Sequence, residues 1–418
     1  MSRTAGGRLG PAFTNLWVAS LASNLGDGIA RTAMPLLAAR LTDDALLISG
    51  IAALAMLPWL LFALPSGIAI DRMDRRLALA LAQAVRVTLG ILLIVLTASG
   101  ALTIWWLYLV IFVYGAFETL YDGAARAIPP SIVDTADLPR ANGRIEAGEQ
   151  VMQSFVSGPF TSALFAVSVL IPLGTNVAAF ALAGVLALLL PRTASGRQHV
   201  HPDDAGVAWY RQFADGWRFL RANRMLVVLW LTSTAAGIFV QLAFASFVLF
   251  VLGPLGVPEA WFGLFMLSGA VGGIAGSLVT DRLKRRFHSG PVMAWSTLFT
   301  GLALLVMGLW PNVWVVVAAN AVVAGAIVCW NVLVISLRQA IIPIRLFGRV
   351  QGTWRTLLWG AMPVGSLLGG LIGRVDLALP FVVGGGLTAV LALAAFPFYH
   401  RLPDPEDVVA AGTVGPAV

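Results

Sequence analysis

The residue types in this chain that could do chemistry sit where their surroundings suit them least. Asn24, Asp27 and Arg31 fall at i, i+3 and i+7 in "SNLGDGIARTA", with the apolar runs "LWVAS" and "AMPLLAA" on either side. Tyr114, Glu118 and Asp122 fall at i, i+4 and i+8, with Arg126 next on that face. Glu146, Glu149, Gln150 and Gln153 form a third polar stripe, and Arg86 stands inside the apolar "LAQAVRVTLG". Each spacing lines one face of a helix. A charge at the centre of a bilayer costs about 2.5–3.5 kcal/mol on insertion scales, so it persists only facing a partner or a wet cavity. A carboxylate held in such a place can take up and release a proton. Glu118 has no basic residue within one turn on its own helix and is the first candidate for that role. Asp27 is the second: it is either a coupling acid or, with Arg31 four residues on, half of an ion pair closed within one helix. Asn24, Arg31 and Tyr114 are expected to line the same cavity.

The elements that must position these groups are membrane helices. Of 418 residues, 59% are hydrophobic and 11% charged, whereas a soluble domain carries about 25% charged residues. A crossing needs roughly 20 apolar residues. Apolar runs suggest spans near Phe13–Ala39, Ala45–Pro65, Leu77–Ala98, Leu102–Arg126, Asn142–Val169 and Gly174–Leu190. After a polar stretch they resume near Met225–Leu252, Ala260–Thr280, Gly290–Leu309, Val313–Ala340, Gly348–Ile372 and Leu377–Phe398. The expected organisation is a six-helix bundle over residues 1–190, a linker over 191–224, a second six-helix bundle over 225–400 and a disordered tail over 401–418. No cleavable signal peptide is read at the start of the chain.

Charge placement reads as topology. Lys284 is the single lysine among 27 basic residues. Arg72, Arg75, Arg76, Arg140, Arg144, the six linker arginines, Arg282 to Arg286, Arg345 and Arg349 fall in alternate connections, and the remaining connections hold only Arg40 and Arg374. Cytoplasmic loops keep the excess of Lys and Arg, so both termini and the linker are expected in the cytoplasm. The net charge of +7 is thereby assigned to topology and not to nucleic acid. In the linker, Trp209, Phe213, Trp217 and Leu220 share one face of an amphipathic helix, expected to rest on the inner leaflet.

The halves repeat. "DRMDRR" at Asp71 and "DRLKRR" at Asp281 each follow the second span of a half. "ARAIPP" closes span four and "LRQAIIP" span ten, while "GRIE" (143–146) echoes "GRVQ" (348–351). Such a repeat indicates two bundles related by an axis along the membrane normal, with a site between them.

On these residues the chain resembles the major facilitator superfamily. Gly67, Asp71, Arg72, Arg75 and Arg76 match its motif between spans two and three, with Asp74 where glycine is usual. "SGPFTSA" is similar to the Gly-Pro element of antiporter-type members, with Gly158 and Pro159 matching and Ser162 and Ala163 departing. The arginine that exporters carry in span four is replaced by Ile111. "ETLYDGAARAIPPSIVDTADLPRANGRIEA" resembles the branch of enterobactin-type and macrolide-type exporters. The resemblance implies an all-α integral membrane fold of 12 transmembrane helices in two pseudo-symmetric bundles, in the cell inner membrane. It further implies proton-coupled export of an amphipathic small molecule by alternating access. A lysophospholipid flippase or a proton-coupled importer would share much of this sequence.

Under that resemblance Gly67, Asp71, Arg72, Arg75 and Arg76 are expected to form a cytoplasmic gate with Asp122, Arg126 and Glu146. Glycines at small-xxx-small spacing, Gly269 to Gly276 and Gly365 to Gly373, serve as moving surfaces or as static packing. The second half has no acid within a span. It would offer an apolar wall with Gln241, Trp330 and Asn331, beside Phe239, Phe244 and Trp359. His199, His201, His288 and His400 lie in loops or the tail, Cys329 is the sole cysteine, and no hydrolase, zinc or phosphate-cradling motif occurs. A membrane enzyme is therefore disfavoured, and no metal or cofactor is expected. The expected partners are the substrate, protons and the lipid bilayer, with the chain a monomer.

Overall fold

The structure, a computed structural model, describes residues 9–191, 194 and 209–410. It is all helical among the described residues. The first half comprises α1 (Gly10–Leu41), α2 (Ala45–Arg72), α3 (Arg75–Ala98), α4 (Ile104–Ala127), the single turn α5 (Pro129–Ile132), α6 (Leu138–Gln150), α7 (Ser157–Val167) and α8 (Leu170–Leu188). The linker helix is α9 (Trp209–Ala222). The second half comprises α10 (Arg224–Phe244), α11 (Phe247–Leu252), α12 (Glu259–Phe287), α13 (Ser289–Leu309), α14 (Val313–Ile341), α15 (Ile344–Gly373) and α16 (Leu379–Tyr399), closed by α17 (Pro405–Ala410).

Among the described residues, ten helices are long and apolar enough to cross a membrane. The two expected spans outside that set are α1 and the α6–α7 segment, and both carry polar stripes. Span five is broken by a π turn over Val151–Val156, where Ser157 Oγ donates to the Met152 carbonyl at 2.6 Å. Such turns open the backbone ladder and re-aim side chains. The breaks between helices use side-chain caps. Asp74 accepts from Arg76 N at the start of α3, Asn223 from Met225 N and Leu226 N at α10, and Asn312 from Trp314 N and Val315 N at α14. Asp74, the departure from the superfamily motif, thus supplies a cap that a glycine has no side chain to make.

The chain divides into two compact units. The first comprises Met1–Leu41, Pro58–Gly206 and Glu259–Leu264, the second Thr42–Leu57, Val207–Pro258 and Phe265–Val418. In the first, α8 packs against α1 and α3, and α4 against α3. In the second, α13 packs between α14 and α16, and α10 against α15 and α16. The glycine stripes serve this packing. A Cβ on Gly272 or Gly276 would meet the Ala321 or Gly325 carbonyl of α14, and one on Gly365 or Gly369 would meet the Ile238 or Leu242 carbonyl of α10. These seams lie inside one unit, which supports static packing for them over a moving surface.

Two expectations change. The linker helix docks on α15 through protein contacts: Asp215 pairs with Arg349 at 2.9 Å and the Phe213 carbonyl accepts from Thr353 Oγ1. Leu220 is fully buried and Trp217 stacks edge-on with Trp230. Leu220 and Trp217 of its apolar face therefore pack on protein, Phe213 is half-buried, and the side chain of Trp209 lies outside the described set. The tail expected to be disordered is ordered over 401–410. Asp404 accepts from Ser289 N at 2.7 Å and pairs with His288, and Lys284 pairs with Glu406. Residues 411–418 lie outside the described ones.

Candidate functional site

The first unit gathers the charged residues of three helices around one buried point. On α1, Gly26 lies under the Phe180 ring and Gly28 under Ser157, where a Cβ would collide. The missing side chains let α1 approach α8 and the π turn closely. That approach sinks Ser23, Asn24 and Asp27 into the interior, Asp27 at 3% exposure. Arg86 of α3 is fully buried beside it. Its Nη1 stands 3.5 Å from Asp27 Oδ1 and donates to Ser23 Oγ, which also accepts from Gln83 Nε2. Tyr114 of α4 donates to the same Asp27 oxygen at 2.7 Å. The guanidinium is enclosed by three rings, with Cζ 4.9 Å from the Tyr114 centroid, 5.3 Å from Tyr121 and 5.2 Å from Phe180. Delocalised charge on a planar group suits this aromatic cage. Asn24 accepts from Gln153 Nε2, tying α1 to the π turn, and Asn176 of α8 donates to the Gly26 carbonyl.

A second pair adjoins the first. Arg31 Nη2 lies 3.5 Å from Glu118 Oε1, the arginine side chain 63% exposed and the glutamate 14%. The helix-internal pairing of Asp27 with Arg31 is therefore not formed. Arg86 and Tyr114 hold Asp27, and Arg31 crosses to the glutamate that α4 has no base of its own to match. Asp122, one turn further along α4, senses the charges of Glu118, Asp27 and Arg86. What results is a buried carboxylate locked by an arginine and a phenol, with a more accessible carboxylate beside it, on helices otherwise apolar. A carboxylate so placed exchanges a proton for an ion pair when its partner moves.

Sequence spacing brought Asn24, Asp27, Tyr114 and Glu118 to notice, and the structure brings them together. Arg86 is visible in the sequence as a lone mid-span arginine, and the Gln83–Arg86 spacing of i, i+3 is the signal that places a polar pair on one face of α3. Ser23 gave no signal beyond its place next to Asn24.

Other candidates lie elsewhere. Gln241 donates to Met56 Sδ at 3.3 Å, Trp330 packs on the apolar cluster of the second unit, and Asn331 is exposed. Of the gate residues, Gly67, Asp71 and Arg72 fall in α2 with side chains outside the described ones. Arg75 donates to the Ala127 carbonyl at 2.7 Å, and Arg76 to the Leu190 carbonyl and to Asp74. The expected pairing of Arg75 and Arg76 with Asp122 or Glu146 is not formed, because carbonyls at the helix ends and the neighbouring Asp74 are nearer acceptors. Arg126 and Glu146 instead lie in the field of Glu149.

The profile described as transmembrane secretion effector matches residues 9–413. The chain is 28% identical over 405 residues to the multidrug efflux pump Tap of Mycobacterium tuberculosis, covering 93% of this chain and 91% of that protein. It is 21% identical over 388 residues to macrolide efflux protein A of Streptococcus pyogenes, covering 91% and 94%. In fold it matches the nucleoside transporter NupG, with a TM-score of 0.71, 15% identity and coverage of 94% and 100%. It also matches a bacterial homologue of the iron transporter ferroportin, with a TM-score of 0.74, 16% identity and coverage of 94% and 99%.

Proposed function

From the premise that the chain belongs to the transmembrane secretion effector family, within the major facilitator superfamily, we propose proton-coupled export of an amphipathic small molecule. The chain is a multi-pass membrane transporter, not an enzyme. In the proposed cycle it sits in the inner membrane as a monomer, with both termini in the cytoplasm in keeping with the arginine distribution. The efflux proteins it resembles support export. The observation that carries proton coupling is the charge cluster of the first unit: Asp27 on Arg86 and Tyr114, with the Arg31–Glu118 pair alongside.

The physical reasoning runs through electrostatics in a dry interior. Two carboxylates and two guanidiniums close together are neutral as a set, so protonating one carboxylate leaves a net positive charge. That charge is tolerable only where water or a rearranged partner relieves it. Proton binding and helix movement are thereby linked, and the coupled step is the exchange of the Arg31–Glu118 pair for a protonated Glu118. The substrate is read as amphipathic because the wall expected of the second half is aromatic through Phe239 and Trp359, while Trp330 and Phe244 pack within the second unit.

Inverted membrane vesicles test the reading. Wild-type vesicles energised to an acidic interior are expected to accumulate a macrolide or a lipophilic cation, and an uncoupler to abolish the accumulation. Glu118→Gln is expected to lose accumulation while keeping downhill exchange of labelled substrate. Accumulation by Glu118→Gln that still collapses with the uncoupler removes Glu118 from coupling and moves the role to Asp27. Retention in Asp27→Asn as well defeats the proposal.

A further inference from the structure

Arg338, in the last turn of α14, is 5% exposed, and its guanidinium lies 4.5 Å above the Trp354 ring. Its Nε and Nη1 have no hydrogen-bond acceptor. Two further buried groups of the same region are unsatisfied: the Trp230 Nε1 donor and the Gln351 Oε1 acceptor. Trp354, Leu337 and Val350 belong to one apolar cluster on which Trp230 also packs. A cation enclosed by aliphatic and aromatic groups loses its hydration, and a ring face alone does not replace it.

The internal repeat says what is missing. "ARAIPP" and "LRQAIIP" make Arg126 and Arg338 counterparts, and "GRIE" and "GRVQ" make Glu146 and Gln351 counterparts. Three residues on, Glu149 in the first half corresponds to Trp354 in the second. Arg126 has Glu149 in its field. At the equivalent place Arg338 has an amide and an indole. No acid lies in α10, α13, α14, α15 or α16 to take over. Of the nearby acids, Asp215 pairs with Arg218 and Arg349, Asp404 with His288 and Ser289 N, Glu406 with Lys284 and Asp281 with Arg285, while Asp407 of α17 is exposed.

We propose that Arg338 anchors a binding site for an oxyanion, the phosphate or carboxylate of an amphiphile, at the Ile341 end of α14. The guanidinium has two donor edges, Nε with Nη2 and Nη1 with Nη2, and an oxyanion on either edge takes up one of the two unsatisfied N–H groups. Trp230 Nε1 is a further donor in the same cluster, and the apolar side chains around it suit the body of an amphiphile. The counterion that the first half carries in its own sequence is here supplied from outside. The inference is independent of proton coupling and of Glu118.

Full-length protein in a neutral detergent provides the test. Thermal midpoints are measured with inorganic phosphate, with phosphatidylglycerol and with phosphatidylcholine of the same acyl chains. They are recorded for wild type, Arg338→Gln, Arg338→Lys and, as a control, Arg221→Gln on the exposed side of α9. Phosphatidylglycerol is expected to raise the wild-type midpoint saturably, and phosphatidylcholine to leave it unchanged. Arg338→Gln is expected to weaken the apparent affinity at least tenfold, Arg338→Lys to retain part of it, and Arg221→Gln to behave as wild type. Without anion, Arg338→Gln should melt at or above the wild-type temperature, because it removes an uncompensated charge. A response to phosphatidylglycerol alone identifies a lipid headgroup, and a response to phosphate as well identifies a soluble oxyanion. Equal responses of wild type and Arg338→Gln to both anions, or a drop in the Arg338→Gln midpoint that no anion alters, overturn the site.

Discussion

Replacing Asp27 by asparagine keeps the size of the side chain and an acceptor for Tyr114, but removes the negative charge facing Arg86. At the observed 3.5 Å and an effective dielectric of about 20, the lost attraction is about 5 kcal/mol. The hydrogen bond from Tyr114 survives in part, at a cost of about 1 kcal/mol. Arg86 cannot recover by turning to water, since it is fully buried and its Nε and Nη2 have no acceptor. Removing one partner of a buried pair generally costs about 3–5 kcal/mol, which brackets the figure from the geometry. The unfolding equilibrium should therefore shift by roughly two to four powers of ten. The double replacement Asp27→Asn with Arg86→Met removes both charges and should regain most of the loss, since a neutral core of similar volume is about as stable as the pair. Thermal unfolding of wild type and the two variants in neutral detergent, followed by loss of the main size-exclusion peak, reads the differences. An Asp27→Asn protein that melts with wild type would show that Arg86 draws its compensation from Glu118 or Asp122. A double variant no better than the single one would place the loss in packing. Either result refutes the account of the site as an Arg86-centred charge pair.

Two further predictions concern the second unit. Gly272→Val drives a side chain into the Ala321 carbonyl and should destabilise by about 1–3 kcal/mol; Gly273→Ala, whose Cβ meets only Val328 at 3.5 Å, should be neutral or better. Equal melting temperatures for the two would contradict the close α12–α14 seam. In the connection before α2, the Arg374 guanidinium and the Leu46 amide hold the Asp44 carboxyl down at about 2 despite some desolvation. A depressed carboxylate contributes stability that is complete above its unfolded value near 4 and is lost as pH falls towards 2. Arg374→Gln should thus melt below wild type at pH 6, with the gap closing by pH 2 in melts across that range. A gap that stays constant would remove this pair as its cause.

Much of this was legible in the sequence because membrane helices expose their rules one residue at a time. Hydropathy placed the spans, and the period of 3.6 put Asn24 with Asp27 and Tyr114 with Glu118 on shared faces. Pairings were another matter. Spacing along α1 offered Arg31 as the partner of Asp27. The actual partner comes from α3, and nothing in the local sequence records that α8 packs on both helices and holds Arg86 beneath Phe180. The same limit applies to Arg75 and Arg76, which were matched to distant acids when carbonyls of Ala127 and Leu190 lay closer. Glycine spacing is identical for helices that slide and helices that are locked together, so only the Ala321 and Ile238 carbonyls tell them apart. The tail is expected to be disordered, yet Asp404 finds the Ser289 amide that begins α13.

The repeat also bears on how the work is divided between halves. Backbone elements and loop charges recur, but the acids within the spans do not. Past Arg224, the second-half counterparts of α1 and α3, namely α10 and α13, hold no ionisable residue. A proton crossing the hydrocarbon region by way of side-chain carboxylates therefore has acids to use only in the first unit. Arg338 of the second half is left with a different task. Arg338 lies 4.5 Å over the Trp354 ring, so its guanidinium rests on an indole where the first half sets Arg86 and Arg31 on carboxylates. An aromatic face stabilises a cation without neutralising it, leaving the positive charge available to a ligand. On this argument a glutamate placed at Trp354 would restore the charge pattern of the first half. The Trp354→Glu protein should then neither respond to phosphate or phosphatidylglycerol nor need them for stability, whereas a protein still responding to both would show that charge does not govern the site.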